Sequence, residues 1–141
     1  MDAILVVNAG SSSVKFQISA LSPAKELRRL VKGQIDGIGT RPRLRAEAGD
    51  GASLIDKSFA ADEVANVPVA MAAVADWLRE TQSVRLIAVG HRVVHGGPDY
   101  DRPVLVDPDV VARLEKYCPL APLHQPHNLA PILTLQERRP E

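Results

Sequence analysis

The sequence has a single cysteine, no excess of charge of either sign and no long hydrophobic run. Each scarcity removes a class of protein. With Cys118 alone, no disulfide can form within the chain, which is consistent with a reducing compartment. Flanked by Tyr117 and Pro119, that thiol reads as a small apolar packing residue. Lysine plus arginine and aspartate plus glutamate number 17 each, a formal net charge of zero. Neither nucleic acid nor an anionic membrane is therefore expected as a partner, and any anion must be held by a local site rather than by a basic face. No stretch approaches the ~20 apolar residues of a membrane-spanning helix. Met1 to Val7 has no basic segment and too short an apolar run for a secretory signal, so a cytoplasmic location is expected.

What is present is an ordinary globular composition, 45% hydrophobic and 24% charged over 141 residues, enough for one domain with a real core. Ala3 to Val7 is continuously apolar, as in a strand buried on both faces. Asn8 to Ser13 is a cluster of small and polar turn residues, and Val14 to Ser19 then alternates apolar with polar. The turn therefore joins strand to strand. A third strand is expected over Glu26–Ile35, and a hairpin with arms Arg43–Glu47 and Ser53–Lys57 about Asp50-Gly51. Val67, Met71, Val74 and Leu78 share one helical face, predicting a helix over Val67–Glu80 capped by Asn66. Val84–Val89 reads as another buried strand and Val104–Val106 as a short one. Asp107 caps a helix to about Tyr117, residues 118–126 form a proline-fixed loop, and a last helix begins near His127 and ends near Arg138 to Glu141. Strands first, then helices alternating with strands, predict a mixed α/β sheet. The charged, proline-containing end of the sequence reads as a loop cut open.

Three segments could carry chemistry. The turn Asn8-Ala9-Gly10-Ser11-Ser12-Ser13-Val14-Lys15 lacks the second glycine and Lys-Ser/Thr pair of a Walker A loop and leads into a strand, so it is not a P-loop. Its backbone N–H groups, hydroxyls and side-chain amide suit an anion. Lys15, on the strand face opposite Val14, Phe16 and Ile18, can reach toward a bound phosphate. The same residues also suit a plain hairpin turn with serines in water, and the residues alone leave both open. In His91-Arg92-Val93-Val94-His95-Gly96-Gly97, the two histidines have i, i+4 spacing. The valines and glycines argue against a helix there, and hence against a zinc site. Arg92 can fork onto a carboxylate or spread charge over a transferring phosphoryl group, or simply make a salt bridge. Pro122-Leu123-His124-Gln125-Pro126 is a stiff loop suited to a small apolar pocket, with His124 equally well read as packing the loop.

In this order the three segments resemble the acetate kinase family. Leu5 to Lys15 looks like its first signature and Gly90 to Gly97 its second. Leu120 to His124 with Asn128-Leu129 looks like a third recurrent segment, with Gln125 and His127 standing where Asn and Ala are expected. The resemblance implies an actin-like ATPase fold of the acetate and sugar kinases, built on a ribonuclease H-like mixed sheet. Residues 1–141 would be its N-terminal domain, incomplete, with the C-terminal domain absent. It further implies reversible, Mg²⁺-dependent phosphoryl transfer from ATP to acetate, giving acetyl phosphate and ADP, by an enzyme that is a homodimer at full length. Carried over by position, Asn8 belongs to the Mg²⁺ and phosphate site, and Ser11, Ser13 and Lys15 to the phosphate-contacting turn. Arg92 would bind the substrate carboxylate and stabilise the transition state, while Val94 and Leu123 would line the pocket for the acetate methyl group. The family's catalytic Asp and adenine-binding residues follow later than position 141, so the chain alone is expected to be inactive. Propionate or butyrate kinase is the alternative within the family, and a non-catalytic module that binds phosphate weakly or pairs with a longer partner is the alternative outside it.

Overall fold

The computed structural model describes residues 1–138. Its centre is a six-stranded sheet: β1 (Asp2–Ala9), β2 (Val14–Leu21), β3 (Leu27–Asp36), β4 (Arg43–Ala48), β5 (Ser53–Ser58) and β6 (Arg85–His91), in the order β5-β4-β3-β2-β1-β6. Neighbours run antiparallel from β1 to β5, as short turns allow. Only β6 lies parallel to β1, reached through helix α1 (Val67–Thr81). Helices α2 (Pro108–Glu115) and α3 (Gln125–Arg138) follow.

Alternation decides which face is covered. Ala3, Leu5, Val7 and Ala9 of β1 and Val14, Phe16 and Ile18 of β2 are buried, while Val6, Asn8 and Lys15 between them are exposed. The buried set meets the predicted stripe of α1, where Val67, Met71, Val74 and Leu78 are all inside, with Ala70. Phe16 packs its ring at 6.2 Å from that of Trp77. Asn66 caps α1 by accepting from the Val69 N–H at 3.0 Å, and Asp107 caps α2 by accepting from Val110 at 2.8 Å, as their sequence positions predict. A second, smaller core joins α2 to α3 through Val110, Val111, Leu114, Tyr117, Leu129 and Ile132, with Cys118 packed at its margin. Among the described residues no helix is long and apolar enough to cross a membrane.

Several expectations change. Neither β1 nor β6 is buried on both faces: Val6 is 47% exposed, and on β6 Ile87 and Val89 are 45% and 37% exposed. Val104–Val106 is not a strand: it finds no strand partner among the described residues, and Leu105 is 94% exposed. A short apolar run without a neighbour to bond does not make a strand. Residues 118–126 are not all loop either. A 3₁₀ turn spans Cys118–Leu120, and α3 starts at Gln125, whose N–H donates to the Ala121 carbonyl at 2.8 Å. Pro126 sits in the first turn of α3, where its missing N–H costs nothing. The expected last residues of that helix, 139–141, lie outside the described residues.

Candidate functional site

Parallel pairing of β1 with β6 puts both carboxyl ends on one edge of the sheet, the edge where open α/β sheets place their ligands. At the end of β1 the chain reverses through Gly10–Ser13, closed by a hydrogen bond from the Gly10 N–H to the Ser13 carbonyl at 2.8 Å. The Ser12 carbonyl accepts from the Ile38 N–H at 3.1 Å, which anchors the turn to the loop after β3. Ser11 is exposed and Ser13 half-buried. Neither hydroxyl has a partner among the described residues, so both are available to a ligand. Asn8 and Lys15 are directly opposed across the strands, exposed on the same face, and line a groove of about 570 Å³ with Gln17, Lys32 and Gln34.

Beside this turn, Val7 is in register with His91, and the Arg92 N–H donates to the Val7 carbonyl at 3.1 Å. Arg92 therefore leaves the sheet one strand away from the serine turn. Its side chain is exposed and pairs with no carboxylate among the described residues. Lys15 likewise has no acidic partner there. Two cations without ion-pair partners among the described residues, on the strands either side of β1, suit an anion. Val94 and Leu123 are 44% and 75% exposed, so the described residues do not enclose a pocket around them.

The two histidines of the second segment do different things. His95 Nδ1 accepts the Gly97 N–H at 2.8 Å, which folds the loop on itself. His91 is half-buried, its Nδ1 is inside without a partner among the described residues, and burial pulls its pKa down to about 4. His91 is thus neutral at pH 7 and protonates more readily in the unfolded chain. The folded pKa is depressed below the ordinary 6.5, so its stability contribution is full above 6.5 and is lost as pH falls toward 4. Denaturant unfolding should show a loss of roughly 2–3 kcal/mol across that window. His91→Leu should flatten it.

Gly96-Gly97 serves packing. A Cβ on Gly96 would strike the Tyr100 carbonyl, and one on Gly97 would lie 2.5 Å from the Tyr117 ring, at a backbone φ of +58°. Tyr117 is itself held by a hydrogen bond from its hydroxyl to Asp99. Gly97→Ala is expected to destabilise the chain by roughly 2–4 kcal/mol, combining left-handed backbone strain with overpacking. Thermal melts of the two proteins check this.

Two residues to which sequence reasoning gave no role hold the loop in place. Gln125 is fully buried; its Oε1 accepts from the His95 N–H at 3.2 Å. Its Nε2 donates to the carbonyls of His95 at 2.9 Å and Leu114 at 3.2 Å. Asn128, one helical turn on and also buried, accepts from the Val94 N–H at 2.8 Å and donates to the Ala9 carbonyl at 2.7 Å. The available signal was a pair of amides at i, i+3 beside the apolar Leu129 and Ile132, polar side chains on a face that must be buried. The amide of Gln125, where the resemblance leads one to expect Asn, has both donors and its acceptor used.

For magnesium, Asn8 offers one neutral oxygen. Among the described residues no group of three or more His, Cys, Asp or Glu side chains could hold a metal ion. Mg²⁺ is ordinarily held by carboxylates, phosphate oxygens and water, so these residues do not by themselves fit such a site.

The model of the Acetokinase family matches residues 3–141. The chain is 58% identical over 135 residues to an acetate kinase of Nitrobacter hamburgensis, covering 96% of this chain and 33% of that protein. It is 54% identical over 141 residues to an acetate kinase of Rhizobium meliloti, covering 100% and 36%. It thus spans about a third of the length of these relatives. Among solved structures, a propionate kinase from Francisella tularensis superposes with a TM-score of 0.83 at 32% identity, covering all of this chain and 35% of that one. Acetate kinase from Porphyromonas gingivalis gives 0.82 at 28%, covering 97% and 34%. The sheet and helices described above are thus those of the actin-like ATPase fold.

Proposed function

Since the chain belongs to the acetokinase family, we propose that residues 1–141 supply the phosphate-holding wall of a site for reversible phosphoryl transfer between ATP and a short-chain carboxylate, acetate first. The observation that carries this reading is the bond from the Arg92 N–H to the Val7 carbonyl at 3.1 Å, which sets the backbone of Arg92, an exposed side chain without an acidic partner among the described residues, one strand from the serine turn. Phosphoryl transfer asks for positioning and charge neutralisation more than for covalent chemistry from the protein. In this reading the amides of the turn after Gly10 and the hydroxyls of Ser11 and Ser13 donate to phosphate oxygens, and Lys15 offsets their charge. Arg92 forks onto the carboxylate and then meets charge developing on the phosphoryl group. Val94 and Leu123 form one side of the surface for the methyl group. The family implies Mg²⁺ with ATP. Asn8 would offer it one neutral oxygen, and its remaining ligands would have to come from phosphate oxygens and water.

A propionate kinase among the structural neighbours supports a second reading, a larger acyl group, because Val94 and Leu123 leave that side open. Splicing residues 1–141 into the 54% identical relative in place of its matching third, and trapping acyl phosphate as hydroxamate, tests both readings. Turnover with acetate above propionate and butyrate supports the first. Propionate above acetate supports the second. A folded hybrid that turns over none of the three acids contradicts both.

A further inference from the structure

The strand ends that carry the turn and Arg92 are tied together twice. One tie is direct, from the Arg92 N–H to the Val7 carbonyl at 3.1 Å. The other runs through a single side chain. Asn128 Nδ2 donates at 2.7 Å to the carbonyl of Ala9, the last residue before the turn, and Asn128 Oδ1 accepts at 2.8 Å from the N–H of Val94, two residues beyond Arg92. Both bonds are inside: Asn128 is only 7% exposed. Its backbone is fixed by its own N–H donating to the His124 carbonyl at 2.9 Å, so the amide is presented from the first turn of a helix rather than from a loop. Arg92 is therefore flanked by two attachments to β1, at Val7 and, through Asn128, at Ala9.

We propose that Asn128 is a positioning residue that couples the Gly10–Ser13 turn to Arg92, so that an anion seated in the turn is felt at the arginine. A carboxamide is suited to this, because it offers one donor and one acceptor in a fixed plane. Neither backbone group it joins has an alternative partner among the described hydrogen bonds. Gln125 holds the far side of the same loop at His95, so movement at Val94 is not absorbed there. Backbone contacts that hold a catalytic side chain to within a fraction of an ångström are the kind of support a phosphoryl-transfer site needs. The proposal rests on reading the turn as phosphate-holding, and its test separates the two.

The test is a titration of the ¹⁵N-labelled chain with inorganic phosphate, following backbone amides. In the wild-type chain the Gly10–Ser13 amides and the Arg92–Val94 amides are expected to shift together, with one dissociation constant. In Asn128→Ala the turn amides should still shift, with affinity down about tenfold, while the Arg92–Val94 amides stop responding. Ile132→Val, which loosens the same helix without touching the amide, should keep the joint response even if its stability falls; that separates positioning from mere support. A wild-type turn that responds while Arg92–Val94 stays silent overturns the coupling and leaves the phosphate turn standing. Silence of both sets overturns the phosphate reading and the coupling with it. Joint shifts that persist in a folded Asn128→Ala chain overturn the role of Asn128. Should that variant not fold, the wild-type and Ile132→Val titrations still decide whether the coupling exists, and Asn128→Ser, which keeps a donor and an acceptor too short to bridge, takes its place.

Discussion

Gln125→Ala is expected to lower the unfolding free energy by about 3–5 kcal/mol, a large part of what a domain of this size has to lose. The side chain is fully buried and makes three hydrogen bonds. Of the groups it serves, the Leu114 carbonyl keeps the Tyr117 N–H at 3.1 Å, so the loss falls on the N–H and carbonyl of His95. Each buried group left without a partner costs about 1–3 kcal/mol, and the vacated volume adds a cavity term. Gln125→Met separates these contributions. It fills much of the space without making the bonds, and should be about 1–2 kcal/mol less damaging than alanine. Urea unfolding followed by circular dichroism gives both numbers. Equal losses would assign the whole effect to hydrogen bonding.

Arg92→Ala should show the opposite profile. The side chain is exposed and unpaired among the described residues, so stability should change by less than about 0.5 kcal/mol. In the spliced kinase, turnover should fall by about 10²–10³-fold, the usual effect of removing one donor aimed at developing charge. Arg92→Lys should recover little of it, because an ammonium cannot reproduce the planar fork that meets a carboxylate with two parallel bonds. Steady-state rates at saturating ATP, with unfolding curves of the same samples, check the pair. A parallel loss of stability and rate would make Arg92 a structural residue.

These two side chains mark where the sequence was legible and where it was not. Arg92 stands out because a cation directly after a predicted strand, between His91 and Val93, has an evident chemical use. Lys15 is legible for a related reason: strand alternation alone turns it away from Val14, Phe16 and Ile18, and its exposure follows. The α1 face and both helix caps are local features and could be placed within a residue or two. Gln125 and Asn128 were not legible as a clamp. Apart from Leu114, their side-chain partners are 30 and more positions away in the chain, at His95, Val94 and Ala9, and periodicity says nothing about which distant backbone group a buried amide will meet. Val104–Val106 failed for a related reason, since a strand is defined by a neighbour. α3 starts two residues before the expected His127, because Pro126, which suits a loop, is equally compatible with the first turn of a helix.

In the proposed function the Asn8–Lys15 turn and Arg92 form the phosphate-holding wall of a carboxylate kinase. Hydroxamate trapping of acetyl phosphate by the spliced enzyme tests it most directly when Ser11→Ala, Ser13→Ala and Lys15→Met are combined in one variant. The expected result is turnover in the parent and a loss of at least about 10³-fold in the variant, with unfolding curves that overlay. A folded parent without turnover, or a variant that turns over acetate as fast as its parent, would contradict the account.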